Sequence, residues 1–118
     1  MIQDFRRFDI VLVDFGKDVI GSEQAGIRPA IIIQNDKGNK FSANTIVMPL
    51  TSEHKKLNQP THTLLKHDEY NGLSEDSVVL GECLRHVSEK RIIKYMGYLN
   101  SDSDRREIKR VYFANFGE

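Results

Sequence analysis

Apolar and polar positions divide the chain into short blocks. Residues 8–14, Phe-Asp-Ile-Val-Leu-Val-Asp, are β-branched and partly alternating, which predicts a strand. A loop follows that carries Gly16, Gly21 and Gly26. At about fifteen residues it has the length of a loop that is functional or disordered. Residues 29–34 predict a second strand opening on Pro29, a position where a missing N–H is tolerated. Asn35–Asn39 reads as a turn, rich in residues that accept left-handed backbone. Asn44–Leu50 predicts a third strand, and Pro49 places its end at a sheet edge or a bulge. The polar run Thr51–Pro60 reads as a second long loop. Thr61–Leu65 and Ser77–Leu80 predict further strands, the latter extending as far as Arg85, with a turn at Tyr70–Leu73 between them. Ser88–Tyr95 reads as a short helix capped by Ser88. Residues 102–116 predict a terminal helix with Ser101 or Ser103 as cap and Asp102 and Asp104 at its positive end. Ile108, Val111, Tyr112 and Phe116 share one face of that helix, and such a stripe is expected to pack on the core. Short strands followed by helices define a mainly β, α+β chain: a small antiparallel β-barrel or rolled sheet with a C-terminal helix.

Composition narrows the class. With 118 residues, residues 1–118 are expected to form a single domain large enough for a core without disulfides or metals. Cys83 is the one cysteine and is expected to be a small buried hydrophobe, so no internal disulfide can form and a reducing cytoplasm fits. No signal-like h-region or stretch of membrane-spanning length is present, so no membrane association is expected. Four histidines and one cysteine make no metal motif, and neither a metal nor another cofactor is expected. Seventeen Lys+Arg balance seventeen Asp+Glu, which argues against a nonspecific nucleic-acid coat. The charges are uneven, however. Residues 21–60 hold five basic and three acidic residues, whereas residues 61–80 hold one and four. A local basic groove and plain solvated loops both fit that distribution.

Residues 21–36, GSEQAGIRPAIIIQND, hold the densest candidate chemistry. Ser22, Glu23, Gln24 and Arg28 surround two glycines immediately before a buried strand. Taken alone, Arg28 reads as a strand-edge arginine paired with Glu23 or Asp36. Taken with its surroundings, this stretch resembles the signature of the MazF/PemK toxin family. So do RRFDIVLVDFG, NKFSANTIVMPLTS, NQPTHTLL and DSVVLGECLRHVSEKRI, in the family's order over roughly residues 7–95.

The resemblance implies an SH3-like barrel, a homodimer and a cytoplasmic, metal-independent endoribonuclease that cuts single-stranded mRNA at short sequences. It also implies a cognate antitoxin as inhibitory partner. In such cleavage the substrate's 2′-hydroxyl attacks the adjacent phosphorus and leaves a 2′,3′-cyclic phosphate and a 5′-hydroxyl. The chemistry needs a proton acceptor, positive charge on the transition state and a donor to the leaving oxygen. Arg28 is planar, always charged and bidentate, which suits that phosphate. Thr51 can donate its hydroxyl, or can merely bond its own turn backbone. Glu23 can accept the proton, or can merely orient Arg28. Phe15 (by stacking), Ser22, Gln24, Asn39, Lys40, Lys56, Glu82 and Arg85 are the candidates for holding RNA.

Three departures from the family pattern stand out. Arg7-Phe8-Asp9 replaces Arg-Gly-Asp, Glu82-Cys83 replaces Glu-Gln, and Arg85-His86 replaces Arg-Thr. Phe8 and Cys83 keep open a degenerate member that binds RNA without cutting, and fold analogy keeps open a same-fold toxin that binds a protein target as the gyrase poisons do. A two-histidine mechanism is a further rival, but His54, His62 and His67 are expected at the surface, and His86 draws interest only as the neighbour of Arg85.

Overall fold

The computed structural model describes residues 5–17, 25–53 and 57–117. Its order is β1 (Asp9–Asp14), β2 (Ile27–Ile32), α1 (Asp36–Phe41), β3 (Asn44–Thr51), β4 (His62–Leu65), β5 (Ser77–Leu80), β6 (Arg85–Ser88), β7 (Ile92–Tyr98) and α2 (Asp102–Ala114). One seven-stranded sheet runs β4-β5-β3-β2-β1-β7, with β6 paired to the first half of β3. Every described ladder is antiparallel. The expected mainly β architecture with a terminal helix is therefore present. Among the described residues the sheet does not close, because β4 and β7 remain the two ends of the path.

The period of two along β1 sends alternate side chains to two apolar layers. Val11, Val13 and Phe15 pack with Ala30, Ile32, Val47 and Val87 on one side. Ile10 packs with Ile31, Met48, Leu50 and Val79 on the other, where Ile108 and Val111 of α2 cover them. The helix starts where expected: the Ser101 side chain accepts from the Asp104 N–H. Burial raises the Asp104 carboxyl above its ordinary range, and the nearby Asp68 charge adds to that. Arg110 ties α2 to β4 by donating to the Pro60 and His62 carbonyls. Of the four residues expected to face the core, Tyr112 and Phe116 do not. They stand 47% and 88% exposed, since α2 lies on the sheet only along its Ile108–Val111 stripe.

Several boundaries move for identifiable reasons. Ser88–Tyr95 is not a helix. Ser88 ends β6, its hydroxyl accepts from Lys90 N–H in a single 3-10 turn at Glu89–Arg91, and Ile92 opens β7. Pairing with β1 outweighs the local helical spacing, and Ile92, Ile93 and Tyr95 are good strand residues. Asn35–Asn39 is not merely a turn: Asn35 caps α1 by accepting from the Gly38 N–H. The two strand prolines also sit elsewhere than expected. Pro29 is the third residue of β2, opposite Leu12 but beyond the end of the β3 ladder, which begins at Ala30. Pro49 lies in the central strand, where β3 exchanges β6 for β5 between Val47 and Leu50. A missing N–H costs little at a place where no neighbouring strand asks for it. The strand expected through Arg85 breaks at Gly81, where a Cβ would meet Val111 at 2.3 Å.

Phe8 replaces the glycine of the resembled family, and its φ is +76°. That left-handed backbone costs a bulky residue roughly 1–3 kcal/mol. The surroundings over-determine it. Phe8 N–H donates to Ile32 O at 2.7 Å, its carbonyl accepts from Leu99 N–H at 3.0 Å, and the Arg105 guanidinium lies 5.0 Å from its ring. The first strand therefore enters the sheet on a left-handed residue, the conformation that glycine adopts most easily.

Candidate active site

Arg28 is the second residue of β2, opposite Val13 of β1. Its side chain is half-buried and its Nε–H donates to the Ala25 carbonyl at 2.9 Å. That bond holds the guanidinium and leaves the terminal N–H groups for another acceptor. Asp36 is not the partner considered for it, because that carboxylate accepts the Arg7 N–H beyond the other end of β2. Among the described residues no carboxylate pairs with Arg28.

Thr51 closes β3. The β2–β3 ladder pairs Ala30 with Pro49, and continuing its register by two residues sets Thr51 across from Arg28. The two side chains line one cleft of about 440 Å³, together with Ser52, Ser74, Glu75 and Ser77. Ile27, Leu73 and Met96 supply apolar wall. Thr51 is 4% exposed and its Oγ1 accepts the Glu53 N–H at 3.2 Å. Thr51 therefore does bond its own turn, and this orients the hydroxyl while leaving its proton free to donate.

Ser74–Ser77 went unread in the sequence as part of a site. Its polar residues look like ordinary turn chemistry, and only the pairing of Thr51 with Val78 brings them to Arg28. The segment is held firmly. Asp76 Oδ1 accepts from the His67 N–H at 3.0 Å and lies 2.7 Å from His67 Nδ1. Ser77 Oγ donates to the Glu75 carbonyl at 3.1 Å. The side-chain bond from His67, then its backbone bond, holds the Asp76 carboxyl below its ordinary range. A lowered carboxylate pKa stabilises the fold above the unfolded value of about 3.9 and is lost as pH falls through the folded one. Melting temperature is thus expected to fall more steeply below pH 4 in the wild type than in Asp76→Asn, measured by circular dichroism across pH 2–6.

The remaining candidates separate. Ser22, Glu23, Gln24 and Lys56 lie outside the described residues, as does His54. Phe15 is not available to stack on a base: it is 3% exposed in the core, with the Arg85 guanidinium 5.6 Å over its ring. Arg85 is half-buried on β6, opposite Val47. Asn39 is likewise a structural residue, 1% exposed. It accepts from Thr45 Oγ1 at 2.6 Å and from Gln34 Nε2 at 3.1 Å, and donates to the Gln34 carbonyl. Its neighbour Lys40 is exposed on α1 beside the Phe41 ring, beyond the opposite end of β2 from Arg28. Glu82 does not line the cleft. Its carboxylate accepts from Thr61 and lies 2.7 Å from His62 Nε2. His62 is consequently not a surface residue but 4% exposed, while His67 and His86 are exposed. Cys83 is half-buried rather than a core residue. Among the described residues no cluster could hold a metal ion, and no helix is long and apolar enough to cross a membrane.

Comparison with known proteins places the chain in a family. The model of the PemK-like, MazF-like toxins of type II toxin–antitoxin systems matches residues 6–111. A protein named Endoribonuclease MazF, from Staphylococcus saprophyticus, is 40% identical over 112 residues, covering 95% of this chain and 91% of that one. A crystal structure of MazF from Deinococcus radiodurans superposes with TM-score 0.75 at 21% identity, over 98% of this chain and 99% of that one. An endoribonuclease from a mycobacterial species, solved in complex with its cognate antitoxin, gives TM-score 0.75 at 17% identity over 95% and 94% of the chains. At such identities the two structures speak for the fold, while the family match and the 40% relative speak for descent, and the chain belongs to the PemK-like, MazF-like toxin family.

Proposed function

We propose that this chain is a cytoplasmic, homodimeric endoribonuclease toxin that cuts single-stranded mRNA at a short sequence without a metal ion and is silenced by a cognate antitoxin. The endoribonuclease activity rests on family membership and on the 40%-identical relative of that name. One observation carries the chemistry: Arg28 and Thr51, distant in sequence, line one cleft with donors unspent. A phosphodiester in that cleft would meet the Arg28 terminal N–H groups and the Thr51 hydroxyl. Both favour the charge that develops on phosphate oxygens as the 2′-hydroxyl attacks phosphorus. The P–O5′ bond then breaks and the departing 5′ oxygen takes up a proton from solvent, leaving a 2′,3′-cyclic phosphate and a 5′-hydroxyl. Glu23, in the same family-matching segment, is assigned to take the 2′ proton.

The test is incubation of a long single-stranded RNA with the purified protein in EDTA, followed by mapping of the ends. Undiminished cutting at a few sites, with 5′-hydroxyl ends kinasable without phosphatase treatment, is expected. Cutting abolished by EDTA, or 5′-phosphate ends, would overturn the mechanism. Intact RNA across varied substrates would overturn the activity and leave a binding role.

A further inference from the structure

We propose that Glu75 selects the nucleotide beside the cut by accepting a hydrogen bond from an exocyclic base amine, favouring adenine, cytosine or guanine over uracil. The proposal deepens the ribonuclease reading above and shares its cleft. Among the described residues that line this cleft, Glu75 is the one carboxylate. Its side chain is exposed and no described side chain pairs with it. Its backbone is nevertheless fixed: the Glu75 carbonyl accepts from Ser77 Oγ, and the next residue, Asp76, is clamped by His67. A carboxylate held this close to a phosphate site repels phosphate. It becomes useful only toward a part of the nucleotide that donates. A carboxylate accepts and cannot donate, so it suits the amino groups on the base edges of adenine, cytosine and guanine. Uracil offers one ring N–H flanked by two carbonyl oxygens, which oppose a carboxylate. Leu73 and Met96 in the same wall give a base ring an apolar surface to lie against.

The same residue could instead serve the chemistry or merely balance Arg28, and the readout separates these roles. Oligonucleotides that vary the nucleotides flanking the mapped cut are cleaved by wild type, Glu75→Gln and Glu75→Ala. At one flanking position, the wild type is expected to cut amine-bearing bases about tenfold faster than uridine, the worth of one charged hydrogen bond. Replacing adenosine there by purine riboside, which lacks only the amine, should cost a similar factor. Glu75→Ala should flatten both differences, and Glu75→Gln should weaken them. A uniform slowing at every base, or an unchanged ranking in both variants, would overturn the proposal. Binding of A-, C- and U-homopolymer decamers, read by fluorescence anisotropy, covers a protein that does not cut. Tighter binding of A and C than of U, lost in Glu75→Ala, would uphold the base contact even if the ribonuclease reading failed. Equal binding of all three by the wild type would overturn it.

Discussion

Arg28→Ala is expected to lower the initial rate of RNA cleavage by roughly a thousandfold. Removing one donor aimed at developing charge typically costs about 10²–10³ in rate. In the proposed mechanism Arg28 would supply a full positive charge and several N–H donors to the same phosphate. Its side chain is half-buried rather than core, and among the described residues that side chain bonds only the Ala25 carbonyl, so the fold should persist. A melting temperature within a few degrees of wild type would accompany the lost rate. Arg28→Lys should restore little, because an ammonium group keeps the charge but not the planar fork. A rate within tenfold of wild type for Arg28→Ala would remove Arg28 from the chemistry.

Gly97→Ala is expected to be one of the most damaging single-methyl additions among the described residues. A Cβ at Gly97 would lie 2.2 Å from the Tyr70 carbonyl oxygen and 2.5 Å from the Asn71 carbonyl carbon. Both are backbone atoms, so no rotamer change relieves the clash. The opposing loop cannot retreat easily. Asn71 is fully buried, its Oδ1 accepts from the Leu73 N–H at 3.0 Å, its Nδ2 donates to the Lys66 carbonyl at 2.9 Å, and the Tyr98 N–H donates to Tyr70 O. Overpacking typically costs about 1–3 kcal/mol, and clashes against two backbone atoms should reach the top of that range or pass it. For a domain of this size that corresponds to a melting temperature lower by roughly 10 °C. Urea unfolding would give the same loss as a lower midpoint at unchanged slope. A variant as stable as wild type would mean that the loop and β7 are not interlocked as described.

The elements most legible in the sequence were those whose signal is local. Alternation of β-branched residues marked β1, and Ser101 followed by Asp102 and Asp104 marked the start of α2. The elements misread were those decided by a distant neighbour. Ile92–Tyr98 carries helical spacing and strand residues at once, and β1 settles the choice by pairing with it. Pro49 looked like an edge signal, yet it sits in a central strand at a change of partners. Phe15 looked like a loop aromatic free to stack, but the Phe15 N–H bonds the Gly26 carbonyl and folds the ring into the core.

The candidate site divides along the same line. Sequence alone determined the residue types in GSEQAGIRPAIIIQND and the family to which they point, because a charged guanidinium between a glycine and a proline is a feature of neighbouring residues. It also determined Thr51 as a candidate, since the end of a strand block can be read locally. Tertiary structure alone decided that Arg28 and Thr51 share a cleft, through the β2–β3 register. It alone decided that Ser74, Glu75 and Ser77 form part of its wall, through the β3–β5 pairing. It likewise withdrew Phe15 and Asn39 from the RNA surface by burying them. Strand pairing acts between residues far apart in the chain, and a one-residue slip reverses which side chains share a face. No local pattern carries that information.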